Sequence, residues 1–272
     1  MVLKMKERYC DPNLPKSRVL RAFVSGLMPE ELINELKSMM IRPYILGKSK
    51  NMSGELAYHP DILVNNFRKG MWICESDPKY LPKGLPLKLF RETETELGDL
   101  YPYDCPFNNF TVDNKLFCGK NVDYLIKAYA LYEKKEIVYV SQNYTKCCTV
   151  LVNESAFITC DKLIGLALRN RGYDVLTIGD DSEIGLKGYS HGLIGGCAAK
   201  IAEDTLAFTG NLNTFKYGDD IADFCANHKV DCFSLTNKPM YDYGGILPIT
   251  ELTDDPNEDV TKDFPVGVFE SF

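Results

Sequence analysis

The sequence lacks the features that would mark a membrane or nucleic-acid-binding protein. No apolar stretch approaches the roughly 18 residues that a membrane-spanning helix needs. The chain has 31 Lys and Arg residues against 38 Asp and Glu residues, and its basic residues form no cluster. The formal net charge of −7 therefore argues against a nucleic-acid surface. We expect neither a membrane nor a nucleic acid as a partner.

Motifs for metals and nucleotides are missing as well. None of the ten cysteines belongs to a CxxC pair, which structural zinc sites use. No GxGxxG or GxxxxGK loop is present, and the glycine-rich segment Gly192–Gly196 has neither that spacing nor a following helix pattern. The sequence therefore predicts no bound metal and no cofactor.

A secretory signal is not expected, because the segment Met1–Cys10 carries charge but no apolar core. Ten cysteines would suit a disulfide framework in a small secreted protein, whereas this chain has 272 residues. Hydrophobic residues make up 45% and charged residues 25%, as in ordinary globular proteins. We expect a cytoplasmic protein with reduced thiols, folded as a single domain over residues 1–272.

What the sequence does contain is a repeat. An apolar run, a tight polar turn and a second apolar run recur four times, and short Asn, Asp or Gly turns between such runs are typical of β-hairpins. The four predicted hairpins are Ile62–Asn65 with Met71–Cys74, Phe110–Val112 with Lys115–Cys118, Thr149–Val152 with Ser155–Ile158, and Ala198–Ile201 with Thr205–Phe208. Their turns are about forty to fifty residues apart, a period typical of repeat architectures.

A helix and a short strand follow most of the hairpins. The predicted helices are Val122–Glu133, Asp161–Arg171 and Ile221–His228, and the strands after them are Ile137–Val140, Val175–Ile178 and Cys232–Leu235. The repeating unit is therefore β-β-α-β. The first unit is the exception, since Pro82–Pro86 argues against a helix there.

A fifth unit is divided between the two ends of the sequence. Ile246–Ile249 supplies its first strand, and Val19–Val24, Pro29–Met40 and Tyr44–Leu46 supply its second strand, helix and last strand. Five such units would close a ring around a pseudo-fivefold axis, which removes exposed sheet edges. The predicted fold is thus a five-bladed α/β propeller. The alternative is a doubly wound parallel sheet, which rarely needs four hairpins in phase.

The segments entering the first strands would converge on one central mouth, and they are rich in titratable and thiol side chains. These entrances are Tyr58-His59-Pro60-Asp61, Tyr103-Asp104-Cys105-Pro106, Lys146-Cys147-Cys148, Ser190-His191-Gly192 and Tyr243-Gly244-Gly245.

The five units, with Asp, His and Gly-Gly entrances in this order, resemble the guanidine-modifying enzymes of the pentein superfamily. That superfamily includes arginine and agmatine deiminases, amidinotransferases and dimethylarginine dimethylaminohydrolase. The resemblance covers nearly the whole chain, although its motifs are short. It implies a pentein-type fold in which a thiolate attacks a guanidinium carbon, a histidine moves protons and carboxylates hold the cation.

The resemblance implies roles for several entrance residues. Asp104 matches the substrate-binding Asp of the superfamily, with an N-cap or turn as the alternative, and His191 matches its catalytic His. The other entrance residues, which we expect to bind ligand, are Asp61, His59, Lys146, Gly244 and Gly245. For His59 a structural role is the competing interpretation.

Two positions depart from the superfamily pattern. The nucleophile should follow the Gly-Gly pair by three residues, and here that position is Pro248, which cannot attack. The Glu-Gly-Gly entrance is replaced by Lys146-Cys147-Cys148, so a carboxylate is also missing. We therefore expect no enzyme-like conversion of arginine, agmatine or methylated arginine.

Three hypotheses remain. The first is a pentein relative without the usual nucleophile that binds a small cationic or polar ligand, such as a guanidinium compound, in the mouth. The second is a hydrolase or transferase acting on guanidines or amidines through a relocated thiol, Cys147 or Cys148, with His191. The third is a non-catalytic assembly protein, which the acidic charge makes less attractive as an RNA partner.

The candidate thiols differ in reach. Cys197 is six residues from His191, a span of roughly 20 Å if extended, so we expect it in the core. Neighbouring residues of a strand point to opposite faces, so either Cys147 or Cys148 should point inward. We predict that one of these two lies nearest His191 and alkylates before Cys197.

Overall fold

The computed structural model describes residues 5–179 and 181–264 of the chain. Residues 1–4, 180 and 265–272, which the predicted 1–272 domain includes, lie outside the described residues. The strands are β1 (Lys6–Tyr9), β2 (Val19–Ser25), β3 (Arg42–Leu46), β4 (Val64–Arg68), β5 (Met71–Glu75), β6 (Phe90–Thr93), β7 (Phe110–Val112), β8 (Lys115–Cys118), β9 (Glu136–Tyr139), β10 (Thr149–Leu151), β11 (Ala156–Thr159), β12 (Asp174–Thr177), β13 (Ala198–Ala202), β14 (Thr205–Phe208), β15 (Asp231–Ser234) and β16 (Leu247–Thr253). The helices are α1 (Glu30–Ser38), α2 (Pro60–Leu63), α3 (Tyr124–Tyr132), α4 (Lys162–Arg169) and α5 (Gly218–Asn227).

The strands form five small sheets with the same internal pattern. In each, an antiparallel hairpin is followed by a third strand that pairs in parallel, as in β7-β8-β9. The other sheets have the orders β4-β5-β6, β10-β11-β12, β13-β14-β15 and β1-β16-β2-β3. The last sheet joins the two ends of the chain, because β16 pairs with β2. In the divided sheet, β16 and β2 are antiparallel and β2 and β3 are parallel, as in the other four sheets of the described residues.

The local sequence explains where the hairpins turn and where the helices begin. Asp113 adopts a φ of 50° in the β7–β8 turn, a conformation that Asp and Asn tolerate better than most residues. Asp123 caps α3 by accepting hydrogen bonds from the amides of Leu125 and Ile126. Asp161 caps α4 in the same way. Between β5 and β6 the chain forms only a 3-10 turn at Leu87–Leu89, as the prolines predicted.

The prediction of a strand over Ile62–Asn65 is wrong at its start. Pro60–Leu63 forms the helical turn α2, with proline at a first position that suits its fixed φ, and the strand begins at Val64. This turn places Asp61 inside the protein rather than along a strand. The edge strand β1 was not predicted either, because its sequence KERY has no apolar alternation.

Hydrogen bonds join the five units, at or next to their entrances, in a closed circuit. The second unit is joined to the first by the side chain of Asn108, which donates to the Asp61 carbonyl at 2.8 Å, and to the third by the amides of Lys146 and Cys147, which donate to Asn108 Oδ1 at 2.8 and 3.0 Å. The Gly195 amide of the fourth unit donates to the Cys147 carbonyl at 2.7 Å, and the Gly245 amide of the fifth donates to the Gly196 carbonyl at 2.8 Å. The circuit closes where the Asp61 amide donates to the Gly244 carbonyl at 3.2 Å. Every unit therefore contacts the next at the centre of the molecule.

The apolar core fills the spaces between neighbouring sheets. The single tryptophan, Trp72, is buried there and meets the ring of Phe23 edge-on, with ring centroids 4.8 Å apart. Within residues 5–179 and 181–264, no helix has the length and apolar character to cross a membrane.

Candidate functional site

Side chains from four of the five units, at or next to the predicted entrances, meet in one buried cluster at the centre of the circuit. His59 and Asp61 come from the first unit, Asn108 from the second, Cys147 from the third and Asp242 from the loop before β16. All five residues are at most 2% exposed. The fourth entrance supplies backbone rather than side chains, since Gly195 and Gly196 hold the neighbouring loops.

The thiol of Cys147 lies between two partners. Its Sγ donates a hydrogen bond to Asp61 Oδ2 at 3.0 Å and accepts one from Asn108 Nδ2 at 2.9 Å. Because Asn108 Oδ1 binds the Cys147 amide as well, one amide side chain fixes both the backbone and the sulfur of this residue. Of the two neighbouring thiols, Cys147 is the one in this cluster.

The second carboxylate of the cluster is fixed by backbone amides. Asp242 accepts hydrogen bonds from the amides of Gly244 at 2.8 Å and Leu193 at 2.9 Å. Its Oδ1 lies 3.6 Å from Nδ1 of His59, beyond good hydrogen-bond range. A Cβ on Gly196 would lie 1.8 Å from Asp242 Oδ1, so only glycine leaves room for this carboxylate.

Glycine is needed next to the imidazole as well. Gly244 has a φ of 74°, and a Cβ there would lie 2.5 Å from the Cβ of His59. The predicted Gly244 thus shapes the site without binding anything through a side chain. The pair Gly244-Gly245 lets the loop before β16 approach the first entrance closely.

Burial sets the protonation of the cluster. Burial raises the pKa of Asp61, and Asp242 adds to the rise, while His59 and Lys146 act in the opposite direction. Burial also raises the pKa of the Cys147 thiol well above its ordinary value, and the charges of Asp61 and Asp242 raise it further. Cys147 is therefore a thiol in this state of the protein, and it acts as a hydrogen-bond donor.

Five buried polar atoms of the described residues lack hydrogen-bond partners, and two of them lie in the cluster. These two are His59 Nδ1 and Asp61 Oδ1; the others are Asp104 Oδ1, Asp181 Oδ2 and Asn66 Oδ1. Such atoms cost free energy unless something binds them, so they mark places that a ligand or water would occupy. Three of these five atoms are carboxylate oxygens, which accept hydrogen bonds and attract positive charge.

Lys146 lies beside the cluster, where its charge acts to lower the pKa of both Asp61 and Cys147. Its Nζ donates to the Gly195 carbonyl at 3.2 Å, and Lys146 lines a small pocket of about 10 Å³ together with Lys200 and Pro248. Pro248 itself is a strand residue of β16 opposite Ala22. The position where the resemblance would place a nucleophile is thus occupied by a proline in a paired strand.

His191 is held outside the cluster. Its side chain is 35% exposed, and its Nδ1 lies 2.8 Å from the Gly192 carbonyl and 3.4 Å from Asp181 Oδ1. Among the described residues, His191 contacts Gly192 and Asp181 and forms no hydrogen bond or ion pair with Cys147 or Cys148. A pairing of His191 with one of these thiols therefore stays a prediction, and the imidazole inside the cluster is that of His59.

The remaining predicted residues lie near the cluster or apart from it. Asp104 accepts a hydrogen bond from the hydroxyl of Tyr144, and burial together with Asp104 raises the pKa of that hydroxyl. Cys148 packs in a different part of the core from Cys147. Cys197 is fully buried, as expected.

One segment packs over the loop that carries Asp242. Gly185 bridges to Tyr241 in parallel, and the Asp242 amide donates to the Gly185 carbonyl at 2.9 Å. The Lys187 amide donates to the hydroxyl of Tyr241 at 3.0 Å, and that hydroxyl donates to Glu55 Oε2 at 2.7 Å. Residues 181–192, which we call the covering segment, therefore contact the loop that carries Asp242.

Sequence reasoning missed Asn108 and Asp242. Both stand within three residues of a predicted entrance, two residues after Pro106 and two before Gly244. Their polar character beside a predicted buried strand was the available signal. No group of three or more metal-ligating His, Cys, Asp or Glu side chains occurs in the part of the chain that the structure describes.

Solved structures share this fold. A DDAH from Pseudomonas aeruginosa, a mutant complexed with citrulline, matches with a TM-score of 0.50 and 5% identity, over 87% of this chain and 100% of that one. An amidinotransferase of saxitoxin biosynthesis from Microseira wollei has a TM-score of 0.52 and 7% identity, over 84% and 91% of the two chains. An inosamine-phosphate amidinotransferase from Streptomyces griseus has a TM-score of 0.51 and 10% identity, over 87% and 94%. The chain therefore has a pentein-like fold.

Comparison by sequence finds fewer relatives than comparison by structure does. No curated protein matches the chain. One family model, described as a family of unknown function (DUF6873), matches residues 23–247. This match runs from the second strand of the divided unit to the start of its first strand, and it includes every residue of the buried cluster.

Proposed function

Since the chain belongs to the family of unknown function DUF6873, we propose a function from its own site: it binds a small cation with a guanidinium or amidinium group in the central cluster. The observation that most directly supports this proposal is the buried oxygen Asp61 Oδ1, which has no hydrogen-bond partner and lies beside a second buried carboxylate, Asp242. The fold shared with amidinotransferases agrees with this ligand class but does not select it.

A planar cation fits the chemistry of these atoms. Guanidinium and amidinium groups present two or more N–H donors in one plane, and carboxylates accept such donors in charge-assisted hydrogen bonds. Bound against Asp61 and Asp242, the cation would offset their mutual repulsion. It would also lower the pKa of Cys147, because positive charge near a thiol favours the thiolate.

Thermal unfolding in the presence of ligands tests the proposal. We expect methylguanidine, acetamidine or agmatine to raise the Tm of the protein, since a ligand that binds only the folded state stabilises it. Urea at the same concentration, which has a similar planar shape but no charge, should not raise the Tm. The variant Asp61→Asn should lose the response to the cations.

The matched control is Asp113→Asn, the same substitution at the β7–β8 turn, where the carboxylate binds the hydroxyl of Tyr173. This variant should respond to the cations as the unmodified protein does. If no cation of the panel shifts the Tm, or if Asp61→Asn keeps the full shift, the proposed ligand class is wrong.

The contacts of Cys147 favour a second candidate, a transferase or hydrolase that acts on an amidine carbon. Cys147 Sγ lies 3.0 Å from Asp61 Oδ2, so the carboxylate that would face the cation also faces the thiol. The thiol proton would pass to Asp61 as an S–C bond forms at the amidine carbon. The C–N bond would then break while the leaving amine takes that proton, and transfer of the amidino group to water or another amine would restore the thiol.

Amine release from a panel of guanidines and amidines tests this second candidate. We expect no turnover of arginine, agmatine or methylated arginine, given Pro248. Any other compound that is turned over should form an adduct on Cys147. Cys147→Ser should abolish the reaction and Cys148→Ser should keep it. An adduct on a different cysteine, or turnover that survives Cys147→Ser, would refute the assignment.

We also propose that the protein is located in the cytoplasm. All ten cysteines are free thiols in the structure. Thiols stay reduced in the cytosol and pair in oxidising compartments. Fractionation of cells that produce the protein would test the location.

A further inference from the structure

Two cysteines face each other across the hairpin that begins next to Cys147. In the β10–β11 pair, Thr149 lies opposite Thr159, so Cys148 lies opposite Cys160. The Cys160 amide donates to the Cys148 carbonyl at 3.2 Å, which is one of the two bonds of a hydrogen-bonded cross-strand position; the Cys148 amide donates to Tyr144 instead. The Cα atoms of such a pair are about 5.5 Å apart, within the range that disulfides span.

The two side chains lie on the same face of the sheet. Residues directly opposite in an antiparallel pair point to the same face, and Cys160 Sγ lies 3.7 Å from the Cys148 carbonyl oxygen. The thiol of Cys160 also raises the pKa of Cys148, together with burial. The register of the hairpin therefore already places the two thiols side by side.

The thiols differ in access to solvent. Cys148 is buried, whereas Cys160 is partly exposed at the end of β11. An oxidant in solution therefore reaches Cys160 first and finds Cys148 behind it. This arrangement, an accessible sulfur beside a resolving one, is the one that reversible thiol oxidation requires.

We propose that Cys148 and Cys160 are a reversible oxidation site, which a small-molecule disulfide such as oxidised glutathione converts to an intramolecular disulfide. This site lies beyond the proposed ligand function and does not depend on it. It is adjacent to the cluster, because Cys148 follows Cys147 directly in the chain.

The reaction proceeds by two exchanges. The Cys160 thiolate attacks one sulfur of the oxidant, and the first glutathione leaves as a thiolate. Cys148 then attacks the Cys160 sulfur, its proton goes to the second departing glutathione, and the Cys148–Cys160 bond forms. One disulfide is reduced to two thiols while two protein thiols are oxidised to one disulfide.

The cross-link would fix the entrance on which Cys147 lies. The Cys148 amide donates to the Tyr144 carbonyl at 3.0 Å, so residues 144–148 form a tight turn that the disulfide would tie to the end of β11. A covalent bond between the strands opposes separation of this hairpin in the unfolded state. The oxidised protein should therefore unfold at a higher temperature than the reduced one.

The full chain, incubated with oxidised glutathione, alkylated and digested without reductant, tests the site. We expect a linked pair of peptides that contains Cys148 and Cys160, disappears on reduction and accompanies a higher Tm. Cys160→Ser should lose both the linked pair and the Tm increase. Cys225→Ser, which alters a second thiol pair formed with Cys232, should keep both.

Three results would overturn the proposal. They are a stable mixed disulfide on Cys160 with Cys148 still free, a disulfide that joins Cys148 to Cys147 instead, and a linked pair that forms only after the protein is unfolded. Because the peptides are identified by mass, the outcome is independent of whether any cation binds the central cluster.

Discussion

At the scale of single residues, Asp61 is placed where its charge is unfavourable. Its pKa is raised above the ordinary value of 3.8 by burial, although His59 and Lys146 oppose the rise. A carboxyl group with a raised folded-state pKa favours folding at pH below its unfolded pKa, and this contribution is lost as the pH rises through the folded value. At neutral pH, Asp61 therefore lowers the stability of the fold, as functional residues commonly do.

Asp61→Asn should accordingly raise the stability at neutral pH. The asparagine oxygen can still accept the hydrogen bond from Cys147, while the buried charge is removed. The gain in Tm should grow as the pH is raised from about 4 to about 7. Thermal unfolding over this pH range would measure it, with the exposed turn variant Asp113→Asn as a control without such a trend. A gain that shrank with rising pH would contradict the assignment.

Gly196 can be tested with a single methyl group. Gly196→Ala would place a Cβ 1.8 Å from Asp242 Oδ1, so the carboxylate or the loop must move. We expect a loss of about 1–3 kcal/mol in the free energy of unfolding, as for other overpacked sites. Urea unfolding would measure it. Gly98→Ala is the matched control, since its Cβ would be 3.5 Å from the nearest atom, on Tyr103, and it should have little effect.

At the scale of elements, the covering segment is held to the rest of the protein by hydrogen bonds that include several at the surface. The Lys187 amide donates to the Tyr241 hydroxyl at 3.0 Å and to Glu55 Oε2 at 3.2 Å, and the Tyr241 hydroxyl donates to Glu55 as well. The cluster beneath is closed, so a ligand can enter only if this segment or a neighbouring loop moves. Surface hydrogen bonds of this kind set how often a segment opens locally.

Tyr241→Phe should open the cluster more often. The ring that packs on Tyr243 remains, with ring centroids 4.7 Å apart, and only the hydroxyl is lost. We expect faster iodoacetamide labelling of Cys147, mapped by mass spectrometry, while Cys197 stays slow as an internal reference. Tyr173→Phe, which removes a hydroxyl bound to Asp113, should leave the rate unchanged. Faster labelling of Cys197 than of Cys147 would show that the covering segment does not control access.

The elements also show what the sequence could and could not predict. Hairpins such as β7–β8 were predicted with their observed bounds, since alternating apolar runs and a polar turn are local signals. Asp61, His59 and Cys147 were named because they stand at predicted entrances. Asp242 and Asn108 were not, because their roles come from contacts between units distant in the chain, which no local pattern encodes. The strand β1 was missed for the same reason. It is held by ion pairs of Glu7 and Arg8 with residues distant in the chain, and not by an apolar alternation of its own.

At the scale of the whole molecule, the divided sheet depends on a buried ion pair. Glu7 in β1 binds Arg21 in β2 through two hydrogen bonds of 2.7 Å, and it accepts a third from Thr250 in β16 at 2.6 Å. The guanidinium of Arg21 also lies 4.1 Å from the ring centroid of Phe264. Three strands from opposite ends of the chain thus meet at one carboxylate.

Glu7→Gln should destabilise the protein strongly, because it leaves the buried charge of Arg21 without its carboxylate. Removal of one partner of a buried pair costs about 3–5 kcal/mol, whereas an exposed pair contributes about 0–1 kcal/mol. The control is Glu133→Gln, which breaks the more exposed pair with Arg68. Urea unfolding of both variants should show the difference, and equal losses would contradict the importance of the divided sheet.

The pairing of β16 with β2 has a consequence for how the protein is made. The second strand of the divided sheet is translated before the four three-stranded sheets, and its partner β16 is translated after them. Asp242 and the glycines that hold it lie just before that partner. A nascent chain therefore carries four sheets around an incomplete centre, and we expect the thiol of Cys147 to stay accessible until β16 has been translated.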